Sequence, residues 1–258
     1  MAWRNKNTAI RDKIANGKFS NKNKTAKDKF SNKNKTAKDK SNIKNDFVKT
    51  TNSKTTKNKQ NIKDEIGKIT IIAVVGLHSS GKSKIAEYIA KNYGFYRLET
   101  GDVVREFAIE KKGVADEKTL PEASEYLYKT YKDKYLMNKL VEKIEKQSKQ
   151  GIKKFVVSGI KTRYAYKILN KLLGTFKQIS VVLDADIRYK RAKERNRPDD
   201  EGADSRAQFN KRTWRELNQG VGNVLAISDF FIDNSSTLEN AHKQADKIMS
   251  KFKITPAK

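Results

Sequence analysis

Residues 69–91 read Ile69-Thr70-Ile71-Ile72-Ala73-Val74-Val75-Gly76-Leu77-His78-Ser79-Ser80-Gly81-Lys82-Ser83-Lys84-Ile85-Ala86-Glu87-Tyr88-Ile89-Ala90-Lys91. Gly76 to Ser83 match the pattern G-x-x-x-x-G-K-[ST], with a β-branched apolar run before it and a helical run from Lys82 after it, which is the context a phosphate-binding loop requires. Gly76 and Gly81 permit backbone angles that a side chain would block, so the N–H groups around Ser79, Ser80 and Gly81 can curl about an anion. The helix that starts here directs its positive end at the same point. Lys82 is expected to reach the terminal phosphates of ATP, and the Ser83 hydroxyl stands where a Mg²⁺ ligand belongs.

Outward from this stretch, short apolar runs alternate with helical ones. Strands are expected at Phe95–Leu98, Lys154–Val157, Gln178–Leu183 and Asp229–Asp233. Helices are expected at Asp102–Lys111, Pro121–Gln150, Tyr164–Leu173, Ile187–Asn196, Ala207–Asn218 and Leu238–Phe252. Alternation of this kind points to an α/β fold with a parallel sheet, its ligand lying at the carboxyl ends of the strands.

Phosphoryl transfer needs an acceptor site, cations that close on the moving group, and a carboxylate that organises Mg²⁺. Thr100-Gly101-Asp102 follow the second strand, with Arg105 one turn into the expected helix, able to meet an anionic acceptor. A simple helix cap at Thr100 or Asp102 is the competing reading. Arg188, Arg191 and Arg195 recur at helical spacing, Arg197 follows, and Arg212 and Arg215 lie beyond a breaker-rich loop. Like charges on one helix face repel unless an anion meets them, and the guanidinium is suited to bidentate phosphate contact. The third strand should end in an acid but runs Phe155-Val156-Val157-Ser158-Gly159-Ile160. A hydroxyl cannot offset the charge of Mg²⁺, so Asp102, Asp184 and Asp186 are the carboxylates open to that role.

Taken together, residues 68–253 resemble an archaeal family of phosphate-loop proteins related to dephospho-CoA kinases and nucleoside monophosphate kinases. The likeness rests on Gly76 to Ser83, Gly101-Asp102-Val103-Val104-Arg105-Glu106, Ser158-Gly159-Ile160, Arg191 to Asp200, Arg215-Glu216-Leu217, Gly220-Val221-Gly222 and Ile227 to Ile232. It implies a three-layer P-loop NTPase fold of the nucleoside/nucleotide kinase type with a five-stranded parallel sheet. ATP and Mg²⁺ would be cofactors and a small phosphorylated molecule the acceptor. Lys82, Arg105, Arg191, Arg195 and Arg197 would act on the moving phosphoryl, and Thr100, Gly101, Asp102, Arg105 and Lys161 would hold the acceptor. Ser83 and Asp102 would face the metal. Ser158 departs from the family's Asp, and Lys161 stands where the family tends to have Arg.

Composition narrows the alternatives. The chain has no Cys and two His among 258 residues, so thiolate and histidine-based metal sites and a Ser-His-Asp triad find no support. No apolar run is long enough to span a membrane and no secretory signal is evident, so a cytoplasmic setting is expected. Residues 1–66 hold 19 Lys and Arg against 6 Asp and Glu, a net +13 of the chain's +27. Within them Lys18–Asp28 and Lys29–Asp39 are the same eleven residues, rich in Lys and Asn and with one Phe each, too little to bury a face. The segment is therefore expected to be a disordered basic tail preceding a kinase-like domain over residues 67–258. Its charge would attract RNA or DNA without sequence preference, although drift toward Asn and Lys in an AT-rich genome accounts for the composition equally well. Two functions follow: an ATP-dependent phosphotransferase, or a nucleotide-binding accessory protein that docks on RNA or a ribosome through its tail.

Overall fold

The structure is a computed structural model that describes residues 69–172, 175–195 and 205–257. Residues 1–66 lie outside the described part, and so does Arg197. Five parallel strands form one sheet: β1 (Thr70–Val75), β2 (Tyr96–Glu99), β3 (Lys154–Ser158), β4 (Thr175–Val182) and β5 (Phe230–Asp233), in the order β2-β3-β1-β4-β5. Helix α1 (Lys82–Tyr93) follows β1, and α2 (Thr100–Lys112) follows β2. Two further helices, α3 (Thr119–Tyr131) and α4 (Lys134–Lys149), lead to β3. Then come α5 (Arg163–Leu172) before β4, α6 (Ala185–Arg195), α7 (Arg206–Gln219) and α8 (Val221–Ala226) before β5, and α9 (Leu238–Lys251) after it.

The period-two geometry of a strand explains why β1 is apolar throughout. Ile71, Ala73 and Val75 face one layer, with Leu140 and Ile144 of α4, Leu169 of α5 and Val224 of α8. Ile72 and Val74 face the other, with Ile85 and Ile89 of α1 and Ala245 and Met249 of α9. A smaller cluster joins Phe107 and Ala108 of α2 to Ala123 and Leu127 of α3. The sheet is thus covered on both faces, which is the three-layer arrangement expected.

Three local expectations need correction. The long helical region expected at Pro121–Gln150 is two helices, divided where Lys132 takes φ 52° and its N–H closes α3 on Tyr128 O. The Thr-Gly-Asp segment is itself the first turn of α2, and no side chain caps that helix. Helix α8, which contains Gly222, is not among the expected helices. Among the described residues no helix is long and apolar enough to cross a membrane.

Candidate functional site

The loop between β1 and α1 is held from several sides. Ser79 sits at φ 58° and Gly81 at φ 89°, so the backbone turns through the left-handed region twice within three residues. A Cβ on Gly76 would lie 2.9 Å from the Val181 carbonyl, so only glycine fits there. From beyond β5, the buried Asn234 donates its Nδ2 to Ser80 O at 2.8 Å. From α7, the Glu216 carboxylate accepts the His78 backbone N–H at 2.8 Å and pairs with Lys161 at 3.3 Å. Burial opposes the ionisation of Glu216, but Lys161 and then Lys82 hold its carboxyl far below the usual range. Burial also lowers the pKa of Lys82, with Glu216 partly offsetting the cost. The Lys82 ammonium rests 3.4 Å from Leu77 O, a weak contact for a desolvated cation that a phosphate would satisfy better.

Two clefts meet at this loop. One, of about 200 Å³, lies against Thr100, Gly101, Arg105, Lys161, Arg212 and Arg215. The other, of about 350 Å³, lies against Gly81, Arg97, Arg191, Asn234 and Leu238. Ser79, Lys82, Ser83 and Arg195 line both. The first cleft carries seven Lys and Arg against three carboxylates, Glu99, Asp133 and Glu216, so its walls favour an anion. It also has an apolar side, made by Val104, Leu120, Leu136 and Met137.

The other residues singled out by sequence fall as follows. Thr100 donates its hydroxyl to Gly159 O at 2.8 Å, fixing the start of α2 to the end of β3. Asp102 pairs with Arg105 at 2.7 Å and lines neither cleft. Arg191 donates to Ser236 O at 3.2 Å beside the second cleft. Arg188 does not share a face with it at the site: it is buried, with its guanidinium 5.1 Å from the Phe209 ring centre. Asp184 accepts the Asp186 N–H and caps α6, while Asp186 pairs with Arg206.

A second acid beside the loop is one that sequence reasoning passed over. Glu99, the last residue of β2, accepts the Ser83 hydroxyl at 3.0 Å and pairs with Arg97 at 2.7 Å. Burial opposes its charge, but the hydrogen bonds from Arg97 and Ser83 bring its pKa below the ordinary value. A hydroxyl beside one carboxylate is a hard-oxygen pair of the kind Mg²⁺ takes, with phosphates and water completing the shell. Among the described residues no three His, Cys, Asp or Glu gather into an all-protein cage, so the donors present fit a nucleotide-borne cation.

A family model described as an AAA domain matches residues 75–206, just over half of the chain. A UPF0200 protein of Staphylothermus marinus is 31% identical over 185 residues, which cover 72% of this chain and 94% of that one. A UPF0200 protein of Methanothermobacter thermautotrophicus is also 31% identical, covering 71% of this chain and 91% of its own. Among solved structures, a sugar kinase from Janibacter sp. overlaps 72% of this chain and 95% of its own with TM-score 0.46 at 16% identity. The phosphate loop, the parallel sheet and the match to the two UPF0200 proteins along nearly their whole length agree: the chain belongs to the UPF0200 family and carries an AAA domain with a phosphate-loop motif.

Proposed function

We propose that the protein is an ATP-dependent phosphotransferase that acts on a nucleoside monophosphate or a dephospho-CoA-like molecule. One observation carries this reading: two clefts share Ser79, Lys82, Ser83 and Arg195. A nucleotide hydrolase needs one bound substrate, whereas transfer between two molecules needs two sites that meet at the reacting phosphoryl.

In this reading the loop N–H groups and Lys82 hold the donor phosphates, with the rest of ATP along the second cleft. Arg105 and Lys161 hold the anionic group of the acceptor, and Val104, Leu120 and Met137 receive its apolar part. An oxygen of the acceptor forms a bond to the γ-phosphorus as the bond to the β,γ-bridging oxygen breaks, and ADP leaves with that electron pair. A phosphate acceptor needs no base, while a hydroxyl acceptor gives its proton to a nearby carboxylate or water. Arg195, common to both clefts, opposes the charge on the phosphoryl in flight. Ser83 would hold a nucleotide-borne Mg²⁺, which would supply further neutralisation of the phosphate charge.

Ser158 favours a second reading, a nucleotide-binding accessory protein with slow or no transfer. A transfer screen of purified protein against nucleoside monophosphates and dephospho-CoA, with ATP and GTP as donors, separates the two. Turnover on at least one acceptor, and ATP affinity weakened about tenfold or more (~1.4 kcal/mol) in Lys82→Ala, is the expected result. Tight ATP binding without transfer to any acceptor would favour the accessory reading.

A further inference from the structure

The phosphate loop supplies one oxygen ligand for a cation, the Ser83 hydroxyl, and a phosphoryl-transfer site needs a carboxylate beside it. In phosphate-loop proteins that carboxylate ordinarily stands at the end of an apolar strand. Here β1 lies between β3 and β4, and the last residue of β3 is Ser158, wholly buried, with a hydroxyl that has no hydrogen-bond partner among the described residues. The strand beyond β3 is β2. Parallel register sets Glu99 opposite Ser158, so the last residues of the two strands are neighbours at the same edge of the site. Glu99 turns toward the loop rather than away from it, since its Oε1 accepts the Ser83 hydroxyl at 3.0 Å. Its second oxygen, Oε2, is held by Arg97 Nη2 at 2.7 Å, which fixes the carboxylate in place.

We propose that Glu99 is the metal-organising carboxylate of this site, acting one strand over from the usual position, with the Ser158 hydroxyl holding a water bound to the cation. The charge that Ser158 cannot supply comes from its cross-strand neighbour. Asp102, which is paired with Arg105 and lines neither cleft, does not take part. Neither do Asp184, whose Oδ1 accepts the N–H groups of Asp186 and Ile187, and Asp186, paired with Arg206. This assignment rests on the nucleotide-binding reading of the phosphate loop, and deepens it by naming which side chain couples the cation to the nucleotide.

The test uses the full chain and a non-hydrolysable ATP analogue. Analogue affinity is measured by calorimetry in EDTA and in Mg²⁺, and the bound ion is read directly with Mn²⁺ by electron paramagnetic resonance. Glu99→Gln should weaken Mn²⁺ in the ternary complex by about tenfold or more, while metal-free analogue affinity stays within about twofold. Retained metal-free binding also shows that the variant is folded. Glu99→Asp, which keeps the charge, should fall between the two, and Glu99→Gln with Ser158→Asp should recover most of the loss. Asp102→Asn should leave Mn²⁺ affinity unchanged. Unchanged Mn²⁺ affinity in Glu99→Gln, or a loss confined to Asp102→Asn, overturns the assignment while leaving nucleotide binding intact. Wild-type protein that binds no analogue, with or without metal, overturns the nucleotide reading itself and this assignment with it.

Discussion

His78 occupies the third position of the phosphate loop, and its backbone N–H is taken by Glu216 of α7. Its ring packs 4.5 Å from Phe209, and Nε2 lies 2.8 Å from Thr213 Oγ1. Thr213 already donates its hydroxyl to Phe209 O at 3.1 Å, so Nε2 carries the proton and Nδ1 is bare. Burial then lowers the pKa of His78 to about 3 from an ordinary 6.5, with Arg212, Arg188 and Lys82 adding to the effect and Glu216 opposing it. Because the folded value is the depressed one, the unfolded chain binds the extra proton. The stability associated with neutral His78 is complete above pH 6.5 and is lost as pH falls toward 3. The slope expected from this one group is about 1.4 kcal/mol per pH unit. Glu216, also depressed, adds loss of the same sign below its ordinary 4.5. Denaturant midpoints taken between pH 7 and pH 5 should therefore fall more steeply for the wild type than for His78→Gln, in which only His242, whose pKa burial also lowers, still contributes. Parallel curves for the two proteins would contradict the buried neutral histidine.

At the scale of elements, α1 and α9 lie side by side on one face of the sheet and are joined through a single carboxylate. Asp246 of α9 accepts the Tyr88 hydroxyl at 2.8 Å and the Tyr93 hydroxyl at 2.7 Å, both from α1. Removing that acceptor leaves the buried Tyr93 hydroxyl without its partner, a cost of about 1.5–3 kcal/mol for hydrogen bonds to a charged group. Asp246→Ala should lower stability by that amount. A double-mutant cycle with Tyr93→Phe should show the two changes to be strongly non-additive, and independent effects would mean the bond contributes little. The helical stripe of α1 was legible because Ile85, Ile89 and Tyr93 recur at helical spacing, and β1 because every residue from Ile71 to Val75 is apolar. The partner of the stripe was not, since Asp246 lies more than 150 residues away. Helix α8 was illegible for a related reason. Its six residues include a glycine, and it is held from outside by β4: Gln178 Nε2 donates to Val224 O at 2.7 Å and Ser180 Oγ to Leu225 O at 3.2 Å.

Across the whole molecule, the motif residues were readable because their chemistry is local in sequence, whereas Glu99 and Glu216 matter through contacts with Ser83 and His78 that only folding creates. The described domain begins where Thr70 N–H bonds to Lys153 O and Thr175 N–H bonds to Ile69 O, which ties the entering chain to β3 and β4. Among the described residues, which begin at 69, the apolar side chains gather into three clusters. Residues 1–66, which lie outside the described part, carry a net +13 and an eleven-residue repeat with one Phe per copy. We propose that the domain folds without them. Deleting 1–66 removes about half of the +27 net charge, and with it self-repulsion, and leaves every described residue of the three clusters in place. The truncated protein should melt within about 2 °C of the full chain, or slightly above it, and bind an ATP analogue within about twofold of the full-chain affinity. At low salt, where repulsion is least screened, any gain in melting temperature should be largest, and it should shrink as salt is added. A fall of more than about 5 °C, roughly 1 kcal/mol or more for a domain of this size, would show instead that the basic segment contributes to the folded core.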